Sequence, residues 1–145
     1  TVDEYMIYQA SAMDAAAILL IVSLLDDGQL LSYRQLADEL KLSVLVEAHT
    51  ETEVERAVKA GARIIGVNNR NLKNFDVDVT NSLRLRSMVP NDCLFVSESG
   101  IRTPRDVENL RANGVDAVLI GETLMRSSDK KAMLNDLRSA GSALF

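Results

Sequence analysis

Five short apolar runs constrain this chain more than any other feature. They read AILLIVSL (17–24), SVLVEA (43–48), RIIGV (63–67), CLFVS (93–97) and AVLIG (117–121). Each is rich in Val, Ile and Leu, and each is continuous rather than alternating. A strand covered on one face alternates apolar with polar residues, so a continuous run belongs to a strand enclosed on both faces, as in a parallel sheet. Parallel neighbours need a crossover between them. Amphipathic stretches of helical length supply it at residues 5–13, 30–40, 53–60, 79–88, 104–112 and 130–144.

The punctuation agrees. Thr103 before Pro104 is an N-cap followed by proline at the first helical position. Thr50 with Glu53 fits a capping box, and Asp26–Asp27 suits the positive end of a helix. Gly61 and Gly114 stand where helices stop on a left-handed residue, and Asp14 fills a similar slot. The joints KAGARIIGV (59–67) and RANGVDAVLI (111–120) repeat one plan of helix end, glycine and strand, which SAMDAAAILLI (11–21) copies loosely. Such repetition predicts βα units in an α/β fold. An open doubly wound sheet and a (β/α)8 barrel both fit, but no GxGxxG follows the first strand.

Composition narrows the partners. The 145 residues carry a net charge of -5 and no dense basic patch, which argues against nucleic acid. The longest apolar stretch, Ala15 to Leu25, falls short of the roughly 20 residues a membrane helix needs. One cysteine, Cys93, fits a reducing, cytoplasmic setting and reads as a buried, inert thiol rather than a nucleophile. No His/Cys cluster has metal spacing. The five methionines, among them Met6, Met13 and Met125, read as core. Thr1 leads almost at once into a helical pattern without an initiator Met, so further chain is expected upstream.

Chemistry-bearing residues collect where the apolar runs end. Glu47 sits inside VLVEAH, where desolvation would raise its pKa toward that of a general base, or a cation from a neighbouring strand would pair with it. Asn68 and Arg70 follow RIIGV; Arg presents a fork for a carboxylate or phosphate. Asn69 and Asn71 read as turn residues. Ser97, Glu98, Ser99 and Gly100 follow the fourth run, with Glu98 expected to face a barrel mouth if Val96 faces out. Gly121, Glu122 and Thr123 follow the fifth, and the two glycines suit backbone contacts to an anion. A glutamate beside phosphate would repel it, so Glu122 is assigned backbone work only. His49, the single histidine, reads as a structural hydrogen-bonding residue. Polar residues at the C-terminal ends of several parallel strands are the pattern of a barrel active site. Five strands, however, make only part of a (β/α)8 barrel.

The segments AILLIVSLLDD, LVEAH with T-x-x-E-x-x-x-A-x-x-A-G-A, IIGVNNRNLKNFDVD, VSESGI-x-T-P-x-D and LIGETLMR occur in order along nearly the whole chain. Together they resemble indole-3-glycerol phosphate synthase, a TIM-barrel lyase of tryptophan biosynthesis. The resemblance implies ring closure, decarboxylation and dehydration of 1-(2-carboxyphenylamino)-1-deoxyribulose 5-phosphate, with no metal or organic cofactor. By position, it makes Glu47 the general base of the dehydration and Asn68 a catalytic residue in contact with substrate. It places Arg70 near the anthranilate carboxylate, Glu98 and Ser99 on the substrate, and Gly100 with the Gly121–Glu122 backbone on the phosphate. The NNRNL stretch argues against other phosphate-binding barrels, such as isomerases of histidine or tryptophan synthesis.

The same resemblance makes residues 1–145 a single domain, the C-terminal part of the barrel without its strands one to three. The lysine general acid of the family belongs to that other part. Lys41, Lys59, Lys73, Lys130 and Lys131 are not at matching strand ends. The chain is therefore expected to have little turnover alone, or to be a self-associating half-barrel with residual phosphate binding. The implied partners are a phosphorylated small molecule and either the N-terminal half of the barrel or a second copy.

Overall fold

A computed structural model describes residues 1–71 and 75–142 of the chain. Helices α1 (Glu4–Ala12), α2 (Asp27–Glu39), α3 (Glu51–Lys59), α4 (Thr80–Arg86), α5 (Pro104–Ala112), α6 (Glu122–Arg126) and α7 (Lys130–Ser142) alternate with strands. The strands are β1 (Ala17–Ile21), β2 (Ser43–Ala48), β3 (Ile64–Asn68), β4 (Leu94–Glu98) and β5 (Ala117–Leu119). Among the described residues these strands form one sheet in the order β1-β2-β3-β4-β5, with every neighbouring pair parallel. This is the α/β arrangement of a partial (β/α)8 barrel.

Local signals explain most boundaries. Asp26 caps α2, accepting from Gln29 N while Gln29 Oε1 accepts from Asp26 N, so the helix starts three residues before its first apolar position. Thr103 and Asp106 form the same reciprocal box on α5. At α3 the box is half made. Thr50 accepts from Glu53 N, but Glu53 reaches past it to the backbone N–H of His49. Gly61, Gly114 and Asp14 all have positive φ, as the helix-stop pattern requires. The first apolar run is the exception: β1 ends at Ile21, and Val22–Leu24 form a 3-10 turn. Arg56 of α3 binds the carbonyls of Val22 and Leu25, which turns the chain toward α2.

The two faces of the sheet differ. Leu20, Val46, Ile65 and Phe95 point into the helical layer and are fully buried there. Their neighbours along each strand point the other way, toward the side that would be a barrel interior. There Leu19, Leu94 and Leu119 are 36%, 54% and 48% exposed. The core thus lies between sheet and helices. Three methionines expected in it are not: Met6, Met13 and Met125 are exposed, since each sits on the outer side of a helix or at its end. Among the described residues no helix is long and apolar enough to cross a membrane.

Candidate active site

Register assembles the site. Glu47 pairs with Gly66 and Gly66 with Val96, while Asn68 pairs with Glu98. Side-by-side residues of a parallel sheet share a face, and so do residues two apart along a strand. Glu47, Gly66, Asn68, Val96 and Glu98 therefore all turn to the inner side, near the C-terminal rim. This corrects one sequence expectation: Val96 and Glu98 point the same way, and Ser97 is the residue turned into the helical layer.

Asn68 organises the rim. Its Nδ2 donates to Glu47 Oε1 at 3.3 Å and its Oδ1 accepts from the backbone N–H of Arg70 at 3.0 Å. Glu47 is 5% exposed and has His49 Nε2 3.6 Å away. His49 also stands 3.5 Å from Glu53. Glu98 is 4% exposed, and its Oε1 is buried with no hydrogen-bond partner among the described residues. Burial, then the charge and hydrogen bond of Glu47, push the Glu98 carboxyl up from 4.5 to about 7. The carboxyl displaced upward is that of Glu98, which is packed over the sheet above Gly66. The arrangement resembles paired carboxyls that cannot both ionise, one of which holds a proton near neutrality.

Beside the rim an open cleft of about 860 Å³ is lined by Arg70, Ser99, Gly100, Arg102, Gly121 and Glu122, among others. Ser99 and Gly100 are both left-handed, at φ 66 and φ 80. Thr123 Oγ1 donates to the Ile101 carbonyl at 2.6 Å, which fastens the loop after β5 to the loop after β4. Glu122 does more than its backbone. Its carboxylate takes Arg70 Nη2 at 2.6 Å and Arg126 Nε at 2.9 Å. The hydrogen bond from Arg70, then that from Arg126, lowers its pKa. Glu122 is thus the counter-ion of Arg70 in this cleft.

Comparison with known proteins now bears on these residues. The family model for indole-3-glycerol phosphate synthase matches residues 1–137. The chain belongs to that family. It is 59% identical over 140 residues to the indole-3-glycerol phosphate synthase of Ruminiclostridium cellulolyticum, an alignment covering 97% of this chain and 54% of the relative. It is also 59% identical over 134 residues to that of Lacticaseibacillus casei, covering 92% and 52%. The chain spans about half the length of the curated relatives it matches. Among solved structures it is similar to a thiamine phosphate pyrophosphorylase from Pyrococcus furiosus (TM-score 0.76, 18% identity, 96% of this chain and 66% of that one). It is likewise similar to a mandelate oxidase with benzoyl-formic acid (TM-score 0.73, 19% identity, 97% and 55%). At those identities the likeness is one of fold alone.

As a member of the indole-3-glycerol phosphate synthase family, the chain brings all eight candidate residues to one end of its sheet. Glu47, Asn68 and Glu98 stand on the inner rim, and Arg70, Ser99, Gly100, Gly121 and Glu122 line the adjoining cleft. Lys41, Lys59, Lys130 and Lys131 follow or occupy helices and stand at no strand end; Lys73 lies outside the described residues. Among the described residues no group of three or more His, Cys, Asp or Glu side chains is arranged to hold a metal ion. Cys93 opens toward the Ala62 carbonyl, and burial raises its thiol pKa.

Sequence reasoning passed over two residues that shape the site. Asn69 is not a turn residue but is buried in a polar cluster with Ser82 and Ser97. Gly66 makes room for Glu98: a Cβ there would lie 1.9 Å from Glu98 Oε1 and 3.1 Å from Leu45 Cδ1. A glycine inside an apolar strand run is the signal for such a close approach. Gly66→Ala is expected to expel the Glu98 carboxyl from its pocket at a cost of roughly 1–3 kcal/mol. A carbon-13 titration of Glu98 checks this, since the variant should return its pKa toward 4.5. An unchanged titration would mean that the glycine serves another purpose.

Proposed function

We propose that the chain supplies the C-terminal βα units of an indole-3-glycerol phosphate synthase barrel. The observation that carries this reading is the convergence of Glu47, Asn68 and Glu98 on one inner rim beside a cleft with arginines and left-handed loops. In the proposed reaction 1-(2-carboxyphenylamino)-1-deoxyribulose 5-phosphate closes its ring, loses carbon dioxide and then loses water. Glu47 is the general base of the dehydration, and Asn68 holds its carboxylate and contacts substrate. Glu98, its carboxyl pushed up to about 7 by burial and the neighbouring Glu47, holds a proton more readily than an ordinary glutamate beside the substrate. Ser99 makes a further contact to substrate. The backbones of Gly100 and Gly121–Glu122 take the phosphate, with Arg102 and Arg126 at the cleft wall supplying positive charge. Arg70 takes the anthranilate carboxylate, for which the substrate must displace Glu122.

Closing the ring also needs a general acid, which in this reading comes from the other strands of the barrel. Loss of such an acid typically costs roughly 10²- to 10⁴-fold. An indole-forming assay is expected to show no turnover by the 145-residue chain alone. Turnover should appear when the N-terminal βα units of a relative are supplied, and fall at least roughly a hundredfold with Glu47→Gln in that complex. Turnover by the chain alone at the level of a whole relative would refute the division. Full activity of the Glu47→Gln complex would refute the assignment of the base.

A second reading is favoured by the exposed leucines of the inner face. Leu19, Leu94 and Leu119 form an apolar surface on a sheet whose outermost strands, β1 and β5, each pair with one neighbouring strand among the described residues. In this reading a second copy covers the face, and the chain is a self-associating scaffold. Sizing chromatography separates the two. A dimer that persists when the N-terminal units are added favours the scaffold, and a dimer they dissolve favours the barrel.

A further inference from the structure

A closed ring of hydrogen bonds lies beneath the rim, on the helical side of the sheet. Asn69 Nδ2 donates to Ser97 Oγ at 3.0 Å, and Ser82 Oγ donates to Asn69 Oδ1 at 2.8 Å. The two hydroxyls are 2.8 Å apart. With Ser82 donating to Asn69, the Ser97 hydroxyl donates to Ser82 and the ring closes with every proton used. Asn69 Oδ1 also accepts from Ser82 N at 3.0 Å, and the second proton of Nδ2 goes to the Ser99 carbonyl at 3.1 Å. Asn69 N donates to the Glu98 carbonyl at 2.9 Å. Asn69 is 3% exposed, and Ser82 and Ser97 are fully buried. Only one orientation of the amide satisfies both the Ser82 N–H and the Ser99 carbonyl, so the ring has a fixed direction.

The ring touches the cleft at one point. Glu98 and Ser99 carry the carbonyls that Asn69 grips, and Ser99 and Gly100 are the two consecutive left-handed residues. A serine at φ 66 is held there by its surroundings rather than by its own preference. We propose that Asn69 is a positioning residue for the anion cleft: it fixes the Ser99–Gly100 turn in the geometry that presents its backbone to a phosphate group. This inference rests on the phosphate reading of the cleft. Asn69 itself is turned to the helical side of the sheet and does not line this cleft.

The test uses the 145-residue chain, inorganic phosphate as probe, and amide NMR. Asn69→Asp keeps the shape and the acceptor for Ser82 but removes, along with the donor to Ser97, the donor to Ser99. Ser82→Ala opens the ring and leaves that donor in place. Asn69→Asp is expected to move the Gly100 amide signal and weaken phosphate binding roughly tenfold, the equivalent of one hydrogen bond. Ser82→Ala should lower stability yet leave both readouts near the parent values. In the parent chain, phosphate should also shift the Asn69 side-chain amide signals together with Gly100, a result that needs no variant to fold. The inference is overturned if the Gly100 amide and affinity survive Asn69→Asp, if Ser82→Ala weakens binding equally, or if phosphate moves Gly100 without moving Asn69. A parent chain that binds no phosphate overturns the phosphate reading and this inference together, whereas binding that survives Asn69→Asp overturns the inference alone.

Discussion

Replacing Glu98 by glutamine is expected to remove a loss of stability that the parent chain suffers as pH rises from about 4.5 to about 7. The sign follows from proton counting. Glu98 keeps its proton in the folded state up to about pH 7, whereas in the unfolded chain it loses it near 4.5. Between those values the folded state binds more protons, so stability falls with pH. The contribution is fully present below the unfolded pKa and gone above the folded one. Its size is roughly 2–4 kcal/mol. Glutamine cannot ionise, and its amide can donate to Glu47, so the variant should gain that amount near pH 8. Urea melts across the range provide the check. The Glu122 pair acts in the opposite sense and in a lower window, because its depressed pKa adds stability that is lost as pH falls below the usual carboxylate range. If parent and Glu98→Gln chains show the same slope between pH 4.5 and 7, the carboxyl pocket over Gly66 is not as described.

The second large effect separates two glycines that looked alike in sequence. Gly100 has φ 80, and a Cβ on it would stand 2.4 Å from Val77 Cγ1 and 2.9 Å from Val79 Cγ2. Neither valine methyl is the far end of a flexible side chain, so the loop that contains them must move. The left-handed backbone costs a side chain roughly 1–2 kcal/mol and overpacking roughly 1–3 kcal/mol more. Gly100→Ala should therefore lower stability by roughly 2–5 kcal/mol and abolish phosphate binding. Gly121 has an ordinary φ of -110, and nothing lies within 4 Å of its would-be Cβ. Gly121→Ala should stay within roughly 0.5 kcal/mol of the parent. Thermal or urea melts of both variants decide the matter, and equal losses would show that the packing of Val77 and Val79 on Gly100 is immaterial.

These cases show what a sequence of this kind exposes and what it hides. Strands covered on both faces advertise themselves as continuous apolar runs, and caps such as Thr103–Pro104 mark where helices begin. Glu47, Asn68 and Glu98 are legible because each is a polar residue in or just after such a run. What decides their chemistry was not legible, because it is set by register between strands. Gly66 and Glu98 are far apart in the chain and meet only because β3 and β4 pair as they do. Which carboxyl of the rim is pushed up depends on the neighbours that register supplies, and burial at a strand end cannot be ranked without them. Asn69 looks like a turn residue in the sequence because Ser82, its partner, belongs to a helix that the local pattern does not connect to it. The methionines misled for a related reason: an apolar side chain shows a helix its stripe but not which stripe the sheet will cover.

The sequential strand order has a consequence for where this piece of barrel is firm and where it frays. Each strand is zipped only to the units before and after it, so the assembly behaves as a short linear stack, and its end members are held from one side. The buried carboxyls of Glu47 and Glu98 ride on β2 and β4, which are clasped from both sides. Gly121 follows β5, which is three residues long and outermost. Opening of that terminal layer would loosen the Gly121 side of the cleft while leaving Glu47 and Glu98 in place, so the two halves of the candidate site reside in layers of unequal tenacity.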